Sequence, residues 1–374
     1  MTTRARDLGV VIGTMTPGRR NAITDVPGVR VGHTTLIRGD GPLVPGEGPV
    51  RTGVTVVVPH DGDIWHEPLF AGCHVLNGNG EVTGLAWIRE AGLLAGALAL
   101  TNTHSVGVVR DALVAHAAGL HPTTDRWWSL PVVGETYDGR LNDINGFHVR
   151  PEHVEAALAG AADGPVAEGA VGGGTGMICH QFKGGIGTAS RRTAGRSGWT
   201  VGALVQANYG RRRLLRIDGV PVGEAIPTSE VPSPFEEEEA DRDGSIIVIV
   251  GTDAPLLPNQ CRRVAQRAGL GLARLGSIGA TTSGDLFMAF ATGNRGLPPA
   301  EAPVAGDGVL AVRTLQDRAL DPIFEATVEA TEEAIVNALV AAETMVGRDG
   351  ITAHRLPHDR LVATMRAAGR LRPV

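Results

Sequence analysis

The chain has 374 residues, 43% of them hydrophobic, which is enough to bury a large core in one big α/β domain or two ordinary ones. Its 34 Lys and Arg stand against 40 Asp and Glu, and the acidic excess is local to Glu236–Asp243, so no basic face for nucleic acid is expected. Three cysteines (Cys73, Cys179, Cys261) form no CxxC pair and are odd in number, which argues against a disulfide framework and fits small core residues in a reducing compartment.

The amino-terminal residues Met1–Asp7 lack an apolar signal region, and no later window has the unbroken apolar length of a membrane span, so a cytoplasmic protein without membrane contact is expected. Residues 21–33 alternate apolar and polar around Pro27-Gly28, as a hairpin would. Past the loop Gly39–Gly53, Val54–Pro59 reads as a short buried strand. After the loop Asn77–Gly80, the stripe Val82, Leu85, Ile88 and Ala91 predicts a helix over Glu81–Gly92, followed by the apolar run Leu93–Leu100. Cap residues in Thr101–Ser105 precede a second helix over Val106–Ala118. Residues 132–147 read as a polar loop after a strand, and Pro151 opens a short helix to Ala159. Gly172–Gly176 is a tight turn, Lys183–Gly187 a turn between paired strands, and Thr200–Asn208 a strand. The acidic, Pro-bearing stretch Pro232–Glu239 reads as a solvated loop inside one domain. It stops at Gly244-Ser245, and Ile246–Val250 has the β-branched composition of a strand buried on both faces. Leu257–Leu275 has apolar residues at helical intervals, Thr281–Phe290 is a strand entered through a polar lip, and Ile323–Val346 is a long helix ended by Gly347. The layers suggested are helices on both outsides of packed sheets.

Ser245 is either a polar residue at a strand start or the product of a bond that the protein cuts itself. Cutting Gly244–Ser245 would free an α-amino group with a reference pKa of about 7.7–8.0, against about 10.4 for lysine, and so supply the base that a serine needs. Glycine at 244 also spares Ser245 Oγ the Cβ that would obstruct attack on the preceding carbonyl. Ser283-Gly284-Asp285 puts a hydroxyl and a carboxylate on one face of an extended segment, or makes an ordinary turn. Asn208, at a strand end, can donate to an oxyanion or simply form a turn. Glu135, with Tyr137 nearby, can grip a substrate ammonium or lie solvated. Gly172–Gly176 fails as a phosphate loop, since neither a Lys-Ser/Thr pair nor a suitably placed acid follows it. The 12 histidines contain no HExxH, and Pro357 spoils the helical pair His354 and His358, so no metal is expected. Cys179-His180 fails as a dyad because strand neighbours face opposite ways.

These pieces resemble the family of L-aminopeptidase D-Ala-esterase/amidases (DmpA-like) and the related β-aminopeptidases. The resemblance is carried by runs in a specific order: residues 23–33 (Ile-Thr-Asp-Val-Pro-Gly-Val-Arg-Val-Gly-His), Asn77–Glu81, Thr101–Gly107, Glu135–Asp138, Gly172–Met177, Gln206–Gly210, Gly244–Val248, Thr282–Asp285 and Asn337–Leu339. It implies an αββα sandwich, made as one domain over 1–374 that cuts itself between Gly244 and Ser245 into a long chain 1–244 and a short chain 245–374, with a homotetramer expected. By the same resemblance Ser245 is the nucleophile of self-cleavage and turnover, its amine the base, Asn208 the oxyanion donor and Ser283 the supporting hydroxyl. Asp285 matches a position that is glutamate in some β-aminopeptidases and aspartate in DmpA-like members, and leans toward the latter. Glu135 matches the carboxylate that grips the substrate amine, with Tyr137 a second contact. The implied reaction is hydrolysis of small peptides, amides and esters with a free amino group, without a cofactor. The rival readings are an uncleaved ligand-binding or assembly protein of the same fold and a nucleotide-dependent enzyme using the Gly172 loop.

Overall fold

The computed structural model describes residues 2–121, 127–195, 198–236 and 244–372. In chain order its strands are β1 (Arg30–Arg38), β2 (Val50–Val58), β3 (Leu69–Gly78), β4 (Leu93–Leu94), β5 (Leu98–Asn102), β6 (Val132–Thr136), the short pair β7 (Ile178–Cys179) and β8 (Phe182–Lys183), then β9 (Gly185–Arg192), β10 (Thr200–Asn208), β11 (Ser245–Thr252), β12 (Gly284–Ala291) and a second short pair, β13 (Met345–Val346) and β14 (Thr352–Ala353). The helices that cover them are α1 (Leu85–Ala91), α2 (Val106–Leu120), α3 (Pro151–Ala159), α4 (Val222–Ala225), α5 (Pro258–Arg274) and α6 (Asp321–Ala341).

Two main sheets form, one in the order β1-β2-β5-β6 and one in the order β4-β3-β12-β11-β10-β9. The alternation along β11 shows how they stack. Ile246, Val248 and Val250 join a core with Val264 and Leu272 of α5 and Ile335 and Leu339 of α6. Ile247 and Ile249 point the other way, into a second core with Val57, Leu98, Leu100 and Val132 of the four-stranded sheet. Beyond that sheet, Val54, Val56 and Val133 meet Val109 and Leu113 of α2 and Val154 of α3. The order of layers is therefore helix, sheet, sheet, helix, the αββα sandwich expected. Each fully buried side chain of this size contributes about 1.5–3 kcal/mol of transfer free energy, and β11 is buried on both faces throughout.

Helix α6 carries a polar seam through this core. Arg191 of β9 reaches Glu329 and Glu333 at 2.9 and 2.6 Å, Arg6 reaches Glu333 at 2.8 Å, and Asn337 accepts the Ala5 N–H at 3.0 Å. Residues upstream of Ser245 are thus tied to residues downstream of it by buried ion pairs and by β10 and β11 lying side by side.

Several local expectations are corrected. Residues 21–33 hold no hairpin: Ile23–Asp25 is a 3-10 turn whose Asp25 carboxylate accepts the Arg20 and Ala22 N–H groups, and β1 pairs instead with β2. Helix α1 starts four residues late because Gly84 adopts a left-handed φ of 75°. The run 93–100 splits into β4 and β5, which belong to different sheets. The turn 183–187 does not join paired strands, since β8 pairs with β7 and β9 with β10. Helix α6 ends at Ala341, where Ala342 turns extended, rather than at Gly347. The stretch 232–236 is not fully solvated, because Pro234 is buried and Phe235 lies under Arg140, 5.5 Å from its guanidinium; Glu237–Asp243 lie outside the described residues.

Candidate active site

The antiparallel register of β10 and β11 pairs Asn208, the last residue of one, with Ser245, the first residue of the other. Nucleophile candidate and amide therefore reach the same end of the sheet. The Gly244–Ser245 link passes so close to β10 that a Cβ on Gly244 would fall 1.9 Å from the Asn208 carbonyl oxygen, so only glycine fits there. On the other side, β12 runs parallel to β11, and the Gly284 N–H donates to Ser245 Oγ at 3.0 Å. Ser283 and Asp285 flank that glycine and are buried together, with Ser283 Oγ donating to Asp285 Oδ1 at 2.6 Å. The Ser283 hydroxyl thus faces Asp285, and the group that touches Ser245 Oγ between them is the Gly284 backbone.

The Asn208 amide is oriented by two bonds: its Oδ1 accepts the Ile178 N–H at 2.8 Å, and its Nδ2 donates to the Tyr137 carbonyl at 3.0 Å. Among the described residues one N–H of the amide is left over, which is what an oxyanion donor requires.

The opposing sheet contributes Glu135. Pairing of β5 with β6 sets Thr101 beside Glu135, which puts it near the end of a buried strand rather than in the polar loop expected. Its Oε1 accepts the Glu81 N–H at 2.9 Å and its Oε2 accepts the Thr103 hydroxyl. Burial pushes its carboxyl up; the Thr103 and Glu81 bonds offset this only in part, and among the described residues no cation lies in salt-bridge contact with it. Tyr137 is half exposed and leans over Gly139, where any Cβ would fall 2.4 Å from its hydroxyl.

Glu135, Tyr137, Asn208, Gly244 and Ser245 line one cavity of about 700 Å³, with Thr282 at its wall and Ser283 and Asp285 buried beside it. Sequence reasoning missed Thr103, Arg140, Phe235 and Arg348, which line the same cavity. Thr103 and Glu81 stand in the runs Thr101–Gly107 and Asn77–Glu81, but their use as donors to Glu135 depends on strand register.

Other candidates fall away. Within the Gly172–Gly176 run, Gly172–Gly174 forms a buried 3-10 turn wedged between the sheets, where a Cβ on Gly173 would meet Gln206 Oε1 at 2.2 Å, leaving no room for a phosphate. Burial pushes the Cys179 thiol up to about 12, and His180 takes a left-handed φ of 48° and bonds the Arg211 carbonyl, so the two form no dyad. Among the described residues one trio brings metal-capable atoms within 4.8 Å of one another, Asp63, His66 and His121, and it lies outside this cavity.

With the geometry in place, comparison with known proteins is decisive. The model of Peptidase family S58 matches residues 21–353. This chain belongs to that family. A β-peptidyl aminopeptidase, BapA, of Sphingosinicella microcystinivorans is 50% identical, the match covering 98% of this chain and 93% of the relative. A Burkholderia sp. β-aminopeptidase of known structure is 56% identical with a TM-score of 0.91, over 99% of this chain and 100% of that one. The L-aminopeptidase D-Ala-esterase/amidase of Ochrobactrum anthropi, described as a variant of the Ntn hydrolase fold, is 44% identical with a TM-score of 0.87, over 98% and 99% of the two chains. The chain is a peptidase with the Ntn hydrolase fold, an aminopeptidase of the N-terminal-nucleophile type.

Proposed function

We propose that the chain cuts itself between Gly244 and Ser245, and that Ser245 then removes amino-terminal residues from small peptides, amino-acid amides and esters. Ser245 Oγ attacks the scissile carbonyl, the freed α-amino group of Ser245 takes the proton, and the oxyanion develops against the spare N–H of Asn208. Protonating the leaving amine completes acylation, and water attacks the Ser245 ester to release the acyl group. Gly284 positions Oγ, with Ser283 and Asp285 holding that corner. Glu135 receives the substrate ammonium and Tyr137 closes over it.

The observation that carries this reading is a buried carboxylate, without a salt-bridge cation among the described residues, opening into the cavity that holds Ser245. A substrate with a free amine brings the missing charge; an acylated one brings none. An amino-acid p-nitroanilide and its N-acetyl derivative are therefore expected to differ by at least about 100-fold in kcat/KM. Equal rates would remove Glu135 from its role.

The scope extends to β-amino residues, supported by the relatives named for β-peptides, and is checked by comparing β-alanyl with L-alanyl p-nitroanilide. Assembly is into a homotetramer in the cytoplasm. Sedimentation at four times 38.9 kDa is the expected result. The buried free cysteines suit a reducing compartment.

A further inference from the structure

Of the 34 basic residues, Lys183 is the sole lysine; every other is an arginine. It is also fully buried. Among the described residues its ammonium has no carboxylate partner and is held by three carbonyls, those of Met177 at 2.7 Å, Gly184 at 2.8 Å and Gly174 at 3.4 Å. An unpaired buried cation is costly to keep, and such groups persist where they serve something besides packing. Burial lowers its pKa to about 7.

The peptide that Lys183 holds leads to the active site. The carbonyl of Met177 accepts from Lys183 Nζ, and the N–H of that same peptide, on Ile178, donates to Asn208 Oδ1 at 2.8 Å. A cation on the carbonyl draws electron density from the amide, which makes its N–H a stronger donor, and hydrogen bonds in series strengthen one another in a low-dielectric interior. The next link is the Asn208 amide, whose acceptor end is loaded by Ile178 and whose donor end faces the cavity. We propose that Lys183 is a positioning residue for the oxyanion site: acting through the Met177–Ile178 peptide, it orients and polarises the Asn208 amide without touching substrate. Arginine would bring a planar fork where three carbonyls converge on one point, and a point charge with three donors is the better match.

The proposal rests on the assignment of Asn208 as oxyanion donor, and the test separates the two. Lys183→Met, Asn208→Ala and the double variant are assayed on an amino-acid p-nitroanilide, with kcat expressed per titratable Ser245 and melting temperature as the control for folding. Asn208→Ala is expected to lose about 100- to 1,000-fold in kcat. Lys183→Met is expected to lose about 10- to 100-fold in kcat, as partners behind a site commonly do, with KM within about twofold. The double variant should fall no lower than Asn208→Ala alone, because the lysine acts through the amide. A Lys183→Met kcat within threefold of wild type, or losses that multiply in the double variant, would overturn the proposal and leave Asn208 in place; an Asn208→Ala enzyme with wild-type kcat would overturn both. A second measurement needs no lysine variant. Wild-type protein grown on ε-¹³C-lysine gives one lysine signal, and an α-aminoalkyl boronic acid, which forms a tetrahedral adduct on Ser245, should shift it. The shift should vanish in Asn208→Ala, and an unmoved signal in saturated wild type would contradict the link.

Discussion

Two buried glutamates make opposite use of the same side chain. Burial alone would raise the carboxyl of Glu333 on α6, but the Arg191 charge, Arg6 and Asn21 outweigh it and hold the group below the usual range. Glu135 on β6 is nearly as buried, yet its bonding partners among the described residues are a hydroxyl and a backbone N–H, and its carboxyl sits above the usual range. One site is complete and fastens the part of the chain before Ser245 to the part after it. The other is incomplete by one positive charge and opens into a cavity. The difference teaches where the protein spends charge on its own cohesion and where it leaves a place for the charge of another molecule.

Glu333→Gln should show the completed site at its most costly to damage. It strips the negative partner from Arg191, and removing one member of a buried pair costs about 3–5 kcal/mol, read from the midpoint of chemical denaturation. A loss below about 1 kcal/mol would mean that the seam is not what joins the two parts. Glu135→Gln should do the reverse: stability within about 1 kcal/mol of wild type, but kcat/KM for free-amine substrates down about 100-fold, the loss of one charged contact worth about 2.7 kcal/mol. If stability falls and kinetics hold, the comparison fails.

The pH profile sharpens the same contrast. Only ionised Glu135 attracts an ammonium, so kcat/KM should fall as pH drops through its raised pKa, at a pH above the ordinary 4.5 of a glutamate, and this limb should be missing in Glu135→Gln. A raised carboxyl binds more protons folded than unfolded, so between the unfolded and folded pKa values this group makes the substrate-free protein less stable as pH rises. Tyr137→Phe should have the smallest effect, no more than about fivefold in KM, since the half-exposed ring keeps its packing and loses one solvated hydroxyl.

The parts of this site that were legible in the sequence are those set by local chemistry. Gly244 followed by Ser245 and an apolar run reads directly as a strand mouth, and the period of two along Ser283-Gly284-Asp285 places hydroxyl and carboxylate side by side, as the 2.6 Å bond bears out. Proline at the first turn of α3 marked its start, and apolar spacing marked the extent of α5. What stayed hidden depends on partners far along the chain. β3 was not read as a strand because Gly72 interrupts its pattern, and the glycine is there because a Cβ would meet the Arg262 backbone nitrogen of α5 at 2.3 Å. Glu135 looked like a loop acid because its burial comes from β5 and from the sheet opposite. α6 stops without a local signal, while Gly347, which resembles a cap, serves instead to let Leu141 approach. Lys183 needed only counting, but its meaning needed the bond from Ile178 to Asn208.

The central claim is that a break at Gly244–Ser245 makes the base. Intact-mass analysis of freshly purified wild type and Ser245→Ala tests it most directly. The account predicts fragments 1–244 and 245–374 in equal amounts from wild type, running together until denatured, and one uncut, inactive chain from Ser245→Ala. An active wild-type protein whose chain is whole, or a Ser245→Ala chain cut at the same bond, would contradict it.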